Sequence, residues 1–186
     1  MTLSPRAKLL LIVAIFAAPI LASYATWRFA RPAPTANRGE LLLPPRTFPE
    51  HEFLRPDGSA FRFESLRGRW VLVASDSGAC PATCAEKLVM MRQVRLALGR
   101  DAGRVARVFV ADDIKPPSPE ALAPFEGMDV ARTPGGLVLP AGAANDRAHI
   151  YLADPNGNVM MRWPAGSAPR ALLEDLKRLL KASQIG

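Results

Sequence analysis

Length, composition and charge limit the classes of protein to which this chain can belong. Its 186 residues are 49% hydrophobic and 22% charged, which suits one globular domain of about 140 residues together with one membrane helix. The net charge of +7 is modest, and no run of Lys and Arg alternates with aromatic residues, so nucleic acid is not favoured as a partner. Two closely spaced cysteines are too few for a disulfide-stapled scaffold and predict redox or metal chemistry instead.

The first predicted element is a membrane helix over residues 9–27, none of which is charged. A helix of this length is about 28 Å long, against about 30 Å of hydrocarbon in a bilayer. Arg6 and Lys8 precede it, which favours a cytoplasmic N-terminus over residues 1–8. A cleaved signal peptide is the alternative, although its apolar region is usually shorter, about 7–15 residues. We expect a single-pass protein of the inner (plasma) membrane with its domain in the periplasm, and both alternatives place that domain in an oxidising space.

A stiff tether and then one domain are predicted after the membrane segment. Residues 28–49 contain five prolines, which predict an extended tether, and the domain is expected over residues 50–186. In chain order, its predicted elements are a β-hairpin around the turn 55–58, a buried strand at 70–74, a helix at 81–98, a buried strand at 105–111, a short helix at 118–125, a strand at 150–153 paired with 159–163, and a final helix from about residue 167. The rest of residues 112–145 gives no clear pattern. This order predicts an α/β sandwich built on one βαβ unit and a terminal hairpin.

The candidate site is the segment CPATC at residues 80–84, between the first buried strand and its helix. Sites in open α/β sheets lie at this carboxyl end of a strand. Pro81 suits the first helical position and leaves Cys80 near the N-cap, where the helix dipole favours a thiolate. Helical spacing places Cys84 on the apolar stripe, so we expect Cys84 to be the more buried thiol and Cys80 the more exposed one. The pair suits a disulfide or one soft ion such as Cu(I); an inert structural disulfide is the alternative.

Other side chains are candidate ligands or loop caps near the predicted site. His149 opens a strand expected beside the cysteine-bearing one, so it is a candidate third ligand in a Cys₂His metal site; a satisfied histidine at a strand end is the alternative. His51 is expected at the surface. Asp76 is expected to cap the loop before Cys80, and a role near the thiols is the alternative. Four methionines are expected to fill the core rather than to bind copper, namely Met90, Met91, Met160 and Met161.

Three segments resemble the Sco/SenC family, specifically a divergent group found in proteobacteria. They are residues 66–73 (LRGRWVLV), the CPATC segment that matches the family's C-P-x-x-C, and residues 151–157 (YLADPNG). The resemblance covers the anchor and most of residues 52–182. It implies a thioredoxin-like sandwich and a role in assembling the copper centre of cytochrome c oxidase. The implied metal ligands are Cys80, Cys84 and His149, and the implied partner is an oxidase subunit or another copper chaperone.

Two departures from the family pattern keep several functions open. Ala85 stands where the family usually has a second proline, and Asp146 stands where its ligand histidine normally lies. Either a shortened loop lets His149 act as the ligand, or the ligand is lost. The first hypothesis is therefore a copper metallochaperone, and the second is a thiol–disulfide oxidoreductase in which Cys80 attacks and Cys84 resolves. The three residues between the cysteines count against the oxidoreductase hypothesis, since thiol–disulfide oxidoreductases usually have CxxC. The third hypothesis is a non-catalytic assembly scaffold.

Overall fold

The described part of the chain consists of two units. The computed structural model describes residues 4–29, 37–48, 52–133 and 146–183, which divide between unit Met1–Ala36 and unit Asn37–Gly186. The described residues of the first unit contain the helix α1 (Pro5–Phe29), with Pro19 inside it and no buried side chain. By length and composition α1 is able to cross a membrane, and it contains the whole predicted segment.

Within the described residues, eight strands of the second unit form one mixed sheet. The strands are β1 (Glu40–Thr47), β2 (Phe53–Leu54), β3 (Ala60–Phe61), β4 (Trp70–Asp76), β5 (Val105–Ala111), β6 (Asp129–Arg132), β7 (His149–Ala153) and β8 (Asn158–Pro164). Their order across the sheet is β1-β8-β7-β4-β5-β6-β2-β3. Strands β4, β5 and β6 are parallel to one another, and the other pairings are antiparallel. The helices are α2 (Ala82–Ala97), α3 (Pro119–Leu122) and α4 (Pro169–Ala182), with 3₁₀ turns at Phe63–Leu66, Gly99–Arg104 and Ala123–Phe125.

Both faces of the central strands are covered, which explains their unbroken apolar sequences. Every residue of β4 and of β5 is buried. Alternate side chains point to opposite faces of a strand, so Leu72 packs with Leu88 of α2 and Leu176 of α4, whereas Val73 packs with Phe63 and its neighbours. Apolar runs of this kind are typical of strands buried on both sides.

Most of the predicted elements are confirmed. Strand β2 pairs with β3 around the turn 55–58, which the Gly58 amide closes by donating to the Arg55 carbonyl at 2.9 Å. Helix α2 occupies nearly the predicted range, but Pro81 is its N-cap rather than its first helical residue. Strand β6 was not predicted. Its four residues include Asp129 and Arg132 and form no apolar run, so its pairing with β5 is decided by the tertiary fold.

The predicted tether over residues 28–49 was too long at its C-terminal end. Strand β1 lies antiparallel beside β8 with a register shift inside it, and the folded unit begins at Asn37 rather than at residue 50. Leu42 on β1 is buried. Pro44 and Pro45 are compatible with this strand because they lie inside its register shift, between the paired residues Leu41 and Arg46, where a missing N–H breaks no ladder. The prolines were therefore misinterpreted as part of a tether.

Candidate dithiol site

The two cysteines form a disulfide at the start of α2. Cys80 and Cys84 are bonded to each other, and their Cα atoms are 5.1 Å apart. Cys80 lies just outside the helix, which begins at Ala82 after the N-cap Pro81. Cys84 is fully buried, whereas Cys80 is half-buried. The expected order of exposure is thus confirmed, and solvent reaches the pair from the Cys80 side.

The loop that carries Cys80 is fixed to the loop after β5. The Cys80 amide donates to the Ser77 carbonyl at 2.9 Å, and Cys80 has the left-handed φ of 41°. The Asp113 carboxylate accepts the Ser77 hydroxyl at 2.5 Å and the Gly78 amide at 3.0 Å, and these hydrogen bonds, led by that of Ser77, lower its pKa. A Cβ on Gly78 would lie 1.9 Å from the Lys115 carbonyl oxygen. Only glycine therefore fits between the two loops.

A buried ion pair joins the end of β4 to α2. The Lys87 Nζ lies 2.7 Å from Asp76 Oδ2, and the two side chains are 1% and 5% exposed. The same ammonium donates to the carbonyl oxygens of Ser75 and Arg147, each at 2.8 Å. Asp76 also accepts the Ser77 amide at 2.8 Å, so its predicted role as a loop cap is confirmed. The lysine therefore fastens the cysteine loop to the segment that enters β7.

A second ion pair lies beside the first. Asp112 is buried and accepts hydrogen bonds from the Arg147 guanidinium and, at 2.8 Å, from the Ser75 hydroxyl. The hydrogen bond to Asp112 raises the pKa of Arg147 despite partial burial. Sequence reasoning missed Lys87, Asp112 and Arg147. One sequence feature could have pointed to this cluster: Lys87 is a charged residue on the same face of α2 as Cys84 and the apolar stripe, so it needs a buried partner.

His149 lies on the predicted strand but is not brought to the cysteines. Strand β7 pairs with β4 as expected. The His149 Nδ1 lies 2.8 Å from Asp146 Oδ2, and its ring contacts that of Tyr151 at a centroid distance of 6.1 Å. Ile150 packs in the cluster that contains Cys84, whereas Tyr151 packs on the other face, and alternation gives His149 the face of Tyr151. Within the described ranges, no group of three His, Cys, Asp or Glu side chains is arranged to hold a metal ion.

Asp146, the carboxylate that contacts His149, also interacts with Tyr151 and Arg162. Asp146 accepts a short hydrogen bond from the Tyr151 hydroxyl and lies 3.9 Å from an Arg162 guanidinium nitrogen. Burial acts to raise the pKa of Asp146, but its hydrogen bonds from Tyr151, the Ala148 amide and His149 outweigh burial and lower it. Burial, followed by the hydrogen bond to Asp146, raises the pKa of Tyr151 to about 12. Asp146 thus fixes the imidazole through Nδ1 and leaves Nε2 as the nitrogen that points away from it.

The four methionines are not part of this site. Core packing is confirmed for the methionines: Met91 and Met161 are fully buried, Met90 is nearly so, and Met160 packs against the same cluster. His51 lies outside the described residues.

The comparisons with known proteins agree with the fold. A family model described as "Transmembrane-like, thioredoxin-like, C-terminal domain" matches residues 70–183. A comparison with curated proteins found no match. The chain is similar to the structure of Bradyrhizobium japonicum ScoI with copper bound, at 22% identity and a TM-score of 0.56 over 72% of this chain and 99% of that one. It is also similar to apo Sco1 from Thermus thermophilus, at 17% identity and a TM-score of 0.62 over 80% and 99% of the two chains.

A third similar structure is BsSco, a member of the Sco family of cytochrome c oxidase assembly proteins in which a disulfide switch has been identified. It shares 17% identity and a TM-score of 0.54 over 74% of this chain and 96% of that one. At these identities, the likeness shows the fold, and the predicted thioredoxin-like, Sco-like architecture is confirmed. Since the family model spans more than half of the sequence, the chain belongs to the family of transmembrane-like, thioredoxin-like C-terminal domains.

Proposed function

We propose that this chain is a membrane-anchored, copper-binding assembly factor for cytochrome c oxidase. The observation that carries the proposal is the pairing of one solvent-reachable sulfur, on Cys80, with one buried sulfur, on Cys84. Once reduced, two thiolates at one point form the donor set that selects Cu(I), since soft ligands select soft ions. The copper-bound ScoI neighbour supports copper as the cargo. BsSco, a member of a family of cytochrome c oxidase assembly proteins, supports an oxidase subunit as the partner, and another copper chaperone is the alternative partner.

Helix α1 and the disulfide support a proposed location for the protein. Helix α1 anchors the chain in the inner membrane, with Arg6 and Lys8 on the cytoplasmic side and the domain in the periplasm. The Cys80–Cys84 disulfide supports this placement, because disulfides persist in oxidising compartments. Copper loading then requires a reductant of the thiol class, which opens the disulfide by supplying two electrons and leaves two protein thiols.

His149 is the proposed third ligand, and its environment supports and restricts that role. Histidines that bind metals commonly donate their other ring N–H to a carboxylate, and Asp146 is such a partner. The ring nevertheless lies on the Tyr151 face of the sheet. Coordination by Nε2 therefore requires residues 146–149 to move toward Cys84 after the disulfide opens.

Anaerobic Cu(I) titration of the reduced, detergent-solubilised chain against a chelator tests the proposal. We expect about one Cu(I) per chain, lost in Cys80→Ser and in Cys84→Ser because each removes one thiolate. Thr83→Ala is the matched control, since Thr83 is exposed between the cysteines, and it should bind as the wild type does. A loss of about tenfold or more in affinity for His149→Ala would support the third ligand. Retained binding after Cys80→Ser contradicts the copper site.

A thiol–disulfide oxidoreductase is the second candidate, and the unequal exposure of the sulfurs favours it. The Cys80 thiolate would attack a partner disulfide, form a mixed disulfide and release one partner thiolate. The Cys84 thiolate would then attack the Cys80 sulfur, re-form the Cys80–Cys84 bond and release the second thiolate. The partner gains two electrons and, as its thiolates protonate, two protons. A Cys84→Ala variant should then trap mixed disulfides in the membrane fraction, and their absence counts against this function.

A further inference from the structure

The Lys87–Asp76 ion pair is the buried charge closest in the chain to both cysteines. We propose that this pair sets the equilibrium between the disulfide and the dithiol, with Lys87 favouring and Asp76 opposing the negative charge of the reduced sulfurs. The inference rests on the reducible Cys80–Cys84 pair of the proposed function. It assigns electrostatic roles to two residues that do not themselves exchange electrons or bind the cargo.

The helix geometry directs the Lys87 ammonium toward the cysteines. Lys87 follows Cys84 by three residues on α2, and both side chains are buried. Residues at this spacing share a helix face, with Cβ atoms about 5–6 Å apart, and long side chains lean toward the helix N-terminus. The ammonium accordingly contacts the Ser75 carbonyl and Asp76, which end the strand that leads into the Cys80 loop.

Burial makes these two charges more effective than the neighbouring ion pair. Lys87 and Asp76 are shielded from water, whereas the Arg147 side chain beside them is 43% exposed. Charges act more strongly on one another where water is excluded, because the effective dielectric constant is lower. Arg147 also lies 3.9 Å from Asp76 Oδ1 and is mainly committed to Asp112. Water therefore screens the Lys87–Asp76 pair less than it screens Arg147.

Removing either partner leaves a charge of opposite sign, and this gives the test its direction. Reduction adds two electrons to the S–S bond and breaks it, and each sulfur then either takes a proton from solvent and becomes a thiol or keeps negative charge as a thiolate, the form on which the nearby charges act. Lys87→Met removes the nearest cation of the Asp76 carboxylate and leaves it only the more distant Arg147 at 3.9 Å, which disfavours thiolate and makes the disulfide harder to reduce. Asp76→Asn leaves the ammonium uncompensated, which makes the disulfide easier to reduce. A purely structural pair would give shifts in the same direction, because both variants break the same 2.7 Å contact.

The equilibrium is measured on the full chain in detergent, in defined mixtures of reduced and oxidised dithiothreitol, by counting free thiols after alkylation. We expect shifts on the order of tenfold, toward the disulfide for Lys87→Met and toward the dithiol for Asp76→Asn. The double variant Asp76→Asn with Lys87→Met leaves no unpaired buried charge, so it serves if a single variant fails to fold. It should lie within about twofold of the wild type, because the favouring and the opposing charge are removed together. Arg170→Met, in an exposed ion pair with Glu174, is the control and should not shift.

Single-variant shifts in the same direction would overturn the inference, as would a double variant displaced as far as the singles. These outcomes are separate from failure of the proposed function. If the wild-type disulfide resists dithiothreitol, the dithiol function itself fails. If the wild type is reduced and binds Cu(I) while both charge variants move together, only the role of Lys87 and Asp76 is rejected.

Discussion

One buried carboxylate on α4 holds Arg38 and Gly39, at the start of the folded unit, which are called the N-terminal segment below. Asp175 is 1% exposed. It accepts the amides of Arg38 at 2.9 Å and Gly39 at 2.8 Å, and the Trp163 indole N–H at 3.1 Å. These residues connect the start of the folded unit, strand β8 and helix α4. We therefore predict that Asp175→Ala strongly destabilises the domain.

The expected magnitude follows from what each donor meets after truncation. A hydrogen bond to a charged group contributes about 1.5–3 kcal/mol, and a buried donor left unpaired costs about 1–3 kcal/mol. The Arg38 and Gly39 amides are part-buried and partly regain water, whereas the Trp163 indole is buried and does not. We expect a loss of about 3–5 kcal/mol in the free energy of unfolding. For a domain of this size, the melting temperature should fall by roughly 6–20 °C.

Urea denaturation followed by tryptophan fluorescence measures this loss. The adjacent Glu174→Ala is the matched control, since Glu174 lies on the same helix and forms ion pairs with Arg170 at 2.8 Å and Arg38 at 3.7 Å at the surface. Exposed pairs of this kind contribute at most about 1 kcal/mol. If Asp175→Ala unfolds within about 1 kcal/mol of Glu174→Ala, then the buried carboxylate does not hold the N-terminal segment, and the reasoning is wrong.

Two further predictions concern the cysteine loop and strand β7. Gly78→Ala should destabilise the domain by about 1–3 kcal/mol in denaturation, because its Cβ would lie 1.9 Å from a carbonyl oxygen of the facing loop. Gly166→Ala, whose Cβ meets no atom within 4 Å, is the control, and equal stability of the two variants contradicts the close packing. In a Tyr24→Phe background, Tyr151 is the only tyrosine, and its ultraviolet titration should have a midpoint near its pKa of about 12, since burial and a carboxylate hydrogen bond raise it. Because the folded pKa is raised from 10.0, this group's stabilising contribution is complete below pH 10.0 and is lost as pH rises toward 12; a midpoint near 10.0 in folded protein would contradict this environment.

The elements that could be predicted from sequence are those whose signal is local. Strand β4 is a continuous apolar run because both of its faces are covered. The final helix could be predicted because Leu172, Leu176 and Leu180 recur at helical spacing and are all buried. The hairpin at 55–58 could be predicted from its turn residues, which impose their backbone conformation without help from the rest of the fold.

Strands β1 and β6 could not be predicted because their pairing depends on distant partners. Strand β1 contains Pro44 and Pro45, which locally favour an extended tether, and only the free edge of β8 makes it a strand. Strand β6 has polar residues at both ends and pairs parallel to β5. In both segments, the stabilising hydrogen bonds come from strands that are remote in sequence.

The candidate site divides in the same way. The relative exposure of Cys80 and Cys84 could be derived from a strand-to-helix connection and helical periodicity, both local properties. The burial of Lys87 could not be predicted from sequence, because the oxygens that bind its ammonium belong to β4 and to the segment before β7. The face of the sheet on which His149 lies could have been predicted, since residues 149 and 151 lie on the same side of a strand and residue 150 lies on the other.

The face of His149 bears directly on how copper would be transferred. While Asp146 holds the imidazole on the Tyr151 side, the reduced pair of Cys80 and Cys84 offers copper two donors. In the proposed function, a third coordination position would then be open to a ligand from the partner, so that the ion would pass by exchange of ligands without release into solvent. If His149 instead moves to fill that position, the protein must give up a ligand before transfer. The affinity of His149→Ala distinguishes these routes: an unchanged affinity supports transfer from a two-thiolate site, and a weakened one supports a site that must open.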